Sequence, residues 1–281
     1  MIVGSRRAAR ASTTARYALL AAGAVLMVTP FAYLLATSFK AQAFVLEFPP
    51  RFIPKHPTRD NYRQAWSSNH FGRYFLNSVL VASATTVITT LISAMAAFAF
   101  TCYQFRMKRL LYGAFLLGLM VPGIMLIIPQ FVLAKQLHLL DSLSGLVVFY
   151  VGTAVALSTF LLRGFMQRVP VDLDEAMVID GAGSWRLFTS LYVPLSRPAL
   201  ATVSIFAFLG AWDEYVWAVT SINDPGKRTL PIAIALFQGQ FRTSWGLVFA
   251  ASVIAITPVI AVFIAAQRQF VQGLTTGAVK G

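Results

Sequence analysis

The sequence predicts an all-α polytopic membrane protein with six transmembrane helices and both termini on the same side. Three observations lead there. Apolar residues make up 57% of the 281 positions, and mean hydropathy is +0.69. Only 12% of residues are charged, about half the share of a soluble domain, which leaves too little polar surface for water. Finally, long uncharged runs recur, and in lipid a helix is the element that satisfies its own backbone groups.

Residues 17–39, 74–105, 110–134, 142–162 and 243–267 carry no charge. Each exceeds the roughly 18–20 residues a helix needs to cross a bilayer. A sixth run, 198–212, reaches that length only if it takes in Asp213 and Glu214 and continues to about Thr220. The expected spans are near 17–38, 76–100, 110–133, 143–162, 199–220 and 246–267. Pro30, Pro122, Pro129 and Pro258 are expected to break their spans where neighbouring helices supply partners. The first span follows Arg6, Arg7, Arg10 and Arg16, but its apolar run is too long for a cleaved signal, so it reads as a retained anchor.

With the N-terminus inside, inner segments hold 13 Lys and Arg and outer segments 10. That is a weak vote for an inside N-terminus, and it leaves orientation open. The net charge of +13 raises the question of nucleic acid, but the basic residues are scattered between apolar runs and form no stripe. Cys102 is the single cysteine, so an intrachain disulfide is excluded. His56, His70 and His138 lack metal-ligand spacing. Residues 1–16 read as an N-terminal segment, 17–267 as one membrane domain and 268–281 as a tail.

Two connections are long. Residues 39–75 hold Pro49, Pro50, Pro54 and Pro57 and read as an extended arm followed by a short interfacial helix. Residues 163–198 hold four of the ten acidic residues: Asp172, Asp174, Glu175 and Asp180. Pro170 and Asp172 suit a helix start, with Asp174 and Glu175 in the first turn, where the helix dipole favours negative charge. Leu173, Ala176, Met177 and Asp180 fall at helical spacing, and Gly181 and Gly183 end the helix. Ser184 is expected to cap a second short helix. On the residues alone this is either an ordinary surface loop with capping acids or a knob that docks on a basic soluble partner. In the second case Glu175 offers a directed charge, and Ala176, Gly181 and Ala182 allow close approach.

The residues from Glu175 to Pro194 resemble the EAA motif of ABC importer permeases. Glu175-Ala176-Met177, then Gly181, then Leu191, then Val193-Pro194 follow that pattern, with Met177, Leu191 and Val193 as conservative departures. Asp180-Gly181-Ala182 matches the family's frequent Asp-Gly-Ala. Asn61-Tyr62, the run Tyr74 to Ser78 and the ending Gln267 to Gly281 are similar to the sugar-importer branch, and to the smaller permease subunit of maltose-type importers in particular.

The resemblance implies a type I importer permease fold in a bacterial inner membrane, with cytoplasmic termini and a cytoplasmic 163–198 loop. It implies a coupling helix at Asp174, Glu175, Ala176, Met177, Asp180, Gly181 and Ala182, seated on an ATPase subunit. The expected partners are a second permease, two ATP-binding subunits and an extracytoplasmic binding protein. ATP and magnesium would be held by the partners, and this chain would bind no cofactor and catalyse nothing. The cargo would be a di- or oligosaccharide or a related polyol. Thr276, Gly277, Ala278, Val279 and Lys280 resemble a tail that reaches between ATPase subunits; on the residues alone a frayed terminus reads as well.

Trp212-Asp213-Glu214-Tyr215-Val216-Trp217 is the other informative stretch, with Trp212, Asp213, Glu214 and Tyr215 as its candidate pathway residues. Asp213 lies roughly 22 Å into the fifth span at 1.5 Å per residue. An intramembrane acid usually faces a bundle interior or a water-filled path, and Trp and Tyr beside it offer a sugar surface. An interfacial aromatic belt is the alternative. The resembled family has Asn and Phe where this chain has Asp213 and Tyr215. No G-x-x-x-x-G-K-[ST], G-x-S-x-G or H-E-x-x-H occurs. A gradient-driven transporter using Asp213 and Glu214 is the competing class, but no internal repeat supports it.

Overall fold

The computed structural model describes residues 3–49, 51–68, 70–239 and 243–278. Among them the chain is helical from α1 (Val3–Ser38) to α13 (Trp245–Ala278), with only isolated bridges in place of strands. Four helices are long and apolar enough to cross a membrane: Thr13–Ser38 within α1, α3 (Phe71–Cys102), α6 (Leu143–Met166) and Trp245–Ala265 within α13. Two bent pairs raise the total to six if each counts as one span.

One pair is Lys108–Met120 with Gly123–Gln136, and the other is Ser184–Leu195 with Arg197–Trp212, bent by 80° ahead of the expected fifth span. Two expected spans are interrupted. The span expected at 110–133 is not one rod. It is α4 (Lys108–Met120), a 3-10 turn at Gly123–Leu126, and α5 (Ile127–Gln136), with a bend of 99°. Pro122 disfavours helical geometry at Val121, and Gly123 adds freedom after it. The span expected at 199–220 is also interrupted. Helix α10 (Arg197–Trp212) stops at Asp213, and a separate α11 (Val216–Ser221) follows. Pro30 and Pro258 break nothing and lie inside α1 and α13. Pro129 sits in the first turn of α5, where an N–H has no intrahelical partner to lose.

The chain forms two compact units, Met1–Ser68 with Ile234–Ile254, and Asn69–Ala233 with Ala255–Gly281. In the first, Asn61 on α2 (Asp60–Ser67) is buried and donates to the carbonyls of Ser38 at 2.8 Å and Lys40 at 2.7 Å. This satisfies carbonyls at the end of α1 that lack helical partners. Tyr62 meets the Ser38 hydroxyl at 2.6 Å. The Gly246 N–H donates to Gln42 Oε1 at 2.7 Å, and a Cβ there would lie 2.6 Å from Asn61 Oδ1. The Asn61-Tyr62 pair is therefore a junction of three segments.

In the second unit α3 packs against α6 and α10. Ala94 and Ala97 are buried on the α3 side and Ala199 on the α10 side, and small residues let helix backbones approach in lipid. Hydroxyls join the helices: Thr90 meets Ser204 at 3.0 Å, and Ser93 donates to the Val155 carbonyl at 3.3 Å. Asn77 donates to the carbonyls of Gly226 at 3.1 Å and Arg228 at 2.9 Å, and Ser78 Oγ accepts the Leu230 N–H at 2.8 Å. The Asn77-Ser78 pair thus pins the 226–230 segment to α3.

Candidate functional site

The acidic loop folds as α7 (Val171–Ile179), a tight corner, α8 (Ser184–Leu187), a wide π turn at Phe188–Tyr192 and a last short turn, α9 (Val193–Leu195). Asp172 and Asp174 lie in the first turn of α7, and Glu175 follows. The corner is a Schellman motif. The Gly181 N–H donates to the Val178 carbonyl at 3.0 Å and the Ala182 N–H to the Met177 carbonyl at 2.9 Å. Gly181 sits at φ 77°, which glycine adopts without strain. A Cβ there would meet nothing within 4 Å, so the corner is open and glycine is required by conformation rather than by crowding. The N-cap of α8 is Gly183, whereas Ser184 is its first helical residue and makes no side-chain cap. The π turn falls where Pro194 removes the N–H that an α-helix would direct at residue 190.

One side of this loop is anchored and the other is presented. Leu187, Phe188, Leu191 and Tyr192 are buried in a cluster with Ala94, Phe98, Leu162, Met166 and Val203, and Met177 and Ala182 pack against it. Glu175, Ala176, Asp180 and Gly181 are exposed, and Asp174 is half-buried. Ile179 is 85% exposed, Val171 65% and Trp185 68%. The presented face is therefore more apolar than the stripe expected from spacing, with Glu175 as a charge on it.

Asp213 and Glu214 stand at the break after α10. Glu214 Oε1 accepts the Trp217 N–H at 2.7 Å. Its Oε2 accepts the Ala218 N–H at 3.0 Å and the Tyr150 hydroxyl at 2.6 Å. The carboxylate thus caps α11 and ties it to α6. Glu214 also lines a half-open cleft of about 320 Å³ with Gln130, Phe149, Tyr150, Thr153 and Trp217. Trp212 does not line it. It is 2% exposed, donates to the Ala255 carbonyl at 3.2 Å, and packs on Phe75 and Phe208. Asp213 and Tyr215 are exposed.

A profile of binding-protein-dependent transport system inner membrane components matches residues 89–276. The chain is 34% identical over 263 residues to the diacetylchitobiose uptake system permease protein NgcG of Streptomyces coelicolor, covering 93% of this chain and 87% of that one. It is 36% identical over 271 residues to the trehalose/maltose transport system permease protein MalG of Thermococcus litoralis, covering 94% and 96%. Its fold matches a chain of a bacterial ABC transporter involved in alginate import at a TM-score of 0.79 and 22% identity, over 94% and 98% of the two chains. The chain belongs to the binding-protein-dependent inner membrane transport component family.

As a member of that family it is a multi-pass ABC transporter permease. Sequence reasoning missed Tyr150, Gln130 and Thr153, and it included Trp217 in the informative stretch without naming it as a pathway residue. Two signals were available: Gln130 interrupts the apolar run 110–134, and an acid in a span needs donors, of which Tyr150 supplies one. It also missed a latch between α6 and the segment after α11. Asp141 Oδ1 accepts the N–H of Asn223 at 3.0 Å and of Asp224 at 2.9 Å, and the Lys227 ammonium lies 3.7 Å from Oδ2. The Asp224 N–H first, then the Asn223 N–H and Lys227, hold the Asp141 carboxyl below its ordinary range. At the other end, Thr276, Gly277 and Ala278 continue α13, whereas Val279 and Lys280 lie outside the described residues.

Proposed function

We propose that the chain is one of two permease subunits of an ATP-driven importer and forms half of the pathway for a carbohydrate. The observation that carries this is the α7 face. An exposed apolar surface bearing Glu175 is held rigid from behind by the helices of the membrane domain. A rigid knob is what a soluble ATPase needs in order to bias a two-state membrane assembly. Closure on ATP favours one arrangement of the ATPases, and firm docking passes that preference to the spans. The site would comprise Asp174, Glu175, Ala176, Met177, Asp180, Gly181 and Ala182, with Thr276 to Lys280 as a second contact.

In this assembly α4 with α5 makes one span and α10 with α11 another, which with the four long helices gives six spans with cytoplasmic termini in a bacterial inner membrane. A second permease, two ATP-binding subunits with their ATP and magnesium, and an extracytoplasmic binding protein complete it. The family's binding-protein dependence and the relatives named for diacetylchitobiose and for trehalose and maltose support this cargo and these partners. The Glu214 cleft, with Trp217, Phe149 and Tyr150, is the surface proposed to face the passing sugar, together with the exposed Asp213 and Tyr215 that flank Glu214 in the chain. Glu214 is already committed as an acceptor to three donors, which suits a positioning role better than that of a titrating ion site in a gradient-driven carrier.

Glu175→Arg tests the docking. Binding-protein-stimulated ATP hydrolysis should separate from uptake, or the ATPase should fail to co-purify. Wild-type uptake by that variant would sink the proposal.

A further inference from the structure

The arm after α1 lines a cleft with residues that neither the α7 face nor the Glu214 cleft uses. Its ends close on each other, with the Thr58 N–H donating to the Phe39 carbonyl at 2.8 Å and Lys40 bridged to Pro57. Within the loop lies a cleft of about 260 Å³ lined by Lys40, Phe44, Glu47, Arg51, Lys55 and His56, among others. Lys40 is 1% exposed. Its ammonium donates to the Arg51 carbonyl at 2.6 Å and stands 5.2 Å over the Tyr33 ring. Neither partner is anionic, so the buried charge is not cancelled by them. Glu47 lies 3.9 Å from Arg51, at the limit of an ion pair. Three lysine and arginine side chains therefore face one carboxylate in this cleft.

The surroundings are apolar in an unusual way for a loop. Phe48 is 96% exposed, Ile53 82% and Leu46 72%. Phe52 is half-exposed and its ring meets Tyr33 of α1 at 5.2 Å. The loop begins directly at the end of the Thr13–Ser38 candidate span, and we therefore place its start near the lipid headgroups. Amphipathic aromatic side chains are enriched at that depth, and neighbouring Lys and Arg side chains make charge-assisted hydrogen bonds to phosphate oxygens.

We propose that this cleft holds the phosphate of an anionic phospholipid, with Lys40, Arg51 and Lys55 as its cationic wall and Leu46, Phe48 and Ile53 entering the acyl boundary. Three neighbouring cations explain the charge preference, and the exposed apolar residues explain why the phosphate would come with a lipid attached. Such a lipid would fix the arm against the membrane face.

The test uses the full chain in nonionic detergent, with native mass spectrometry counting bound dioctanoyl phosphatidylglycerol. Dioctanoyl phosphatidylcholine and inorganic phosphate serve as competitors. Removing one positive charge should weaken retention of the anionic lipid roughly fivefold, and the double variant Arg51→Gln/Lys55→Gln roughly tenfold or more. A second double variant, Phe48→Ser/Ile53→Ser, should also lose lipid. All four positions are exposed, and both variants should keep wild-type helicity and elution volume. On the wild-type chain itself, phosphatidylglycerol should outcompete phosphatidylcholine, and equimolar phosphate should not displace it. Equal retention of the two lipids, displacement by phosphate, or undiminished retention by the charge variant would each overturn the proposal.

Discussion

Gly181 shows what one residue decides. Its φ of 77° lets the chain reverse after α7 and expose Glu175 and Ile179 on one side. Gly181→Val should cost about 1–2 kcal/mol through left-handed backbone strain alone, because a Cβ there meets nothing. Uptake coupling should fall while global helicity persists, which uptake assays and circular dichroism would separate. Asp141 gives a pH prediction. Its folded-state pKa is depressed, so its contribution is present above the ordinary carboxylate range and is lost as pH falls through the folded value. Protection factors at the Asn223 and Asp224 amides, taken relative to the intrinsic exchange rate at each pH, should fall on acidification, and in Asp141→Asn that acid step should be much reduced. A pH-independent difference between the two would argue against the latch. Gly181 was legible in the sequence, because a glycine after an apolar helix is a local stop signal. Asp141 was not, because its partners lie 82 and 83 residues away.

At the scale of elements, uncharged length located the membrane helices and misjudged their continuity. Hydropathy counts residues and is blind to a change of direction. The 99° bend at Pro122 and the end of α10 at Trp212 arise from local geometry and from partners elsewhere. The same residue type behaves differently at Pro30, which α1 absorbs. The stop after α10 is stabilised by Glu214, which caps α11 and accepts from Tyr150. Replacing Oε2 with an amide, as in Glu214→Gln, removes an acceptor from a charge-assisted bond, with an expected loss of about 1.5–3 kcal/mol. Tyr150→Phe should lose less, and the two losses should be non-additive in a double-mutant cycle on thermal stability. Full additivity would mean that the bond contributes nothing. Gly246→Ala should destabilise the junction of α2 with the end of α1, since a Cβ meets Asn61 and Gln42. A shifted melting temperature with intact α7 function would check it.

For the whole molecule, the question is assembly. The chain lacks a phosphate-binding P-loop, and its family works with a binding protein. Purified in mild detergent from its native host, it should bring a P-loop ATPase and a second six-span permease in fixed proportion. Isolation alone, or only as a self-oligomer, would weigh against the importer and direct attention to Asp213 and Glu214. Truncation after Gly273, which removes the last eight residues, should change the ATPase rate of that complex, and an unchanged rate would reduce the tail to a terminus.

The sequence by itself determined the membrane class, the number of apolar runs, the acidic loop and its glycine corner. Each depends on composition or on neighbours within a few positions. Tertiary structure decided which loop face is free, since Met177 is turned against Phe98, Leu162 and the rest of the buried cluster while Ile179 is left outside. It also decided that Trp212 is a packing residue, that Glu214 is a cap, and that Lys40 lies buried beneath an arm. Those outcomes depend on donors and apolar surfaces contributed by distant segments, and local patterning carries no information about which distant segment arrives.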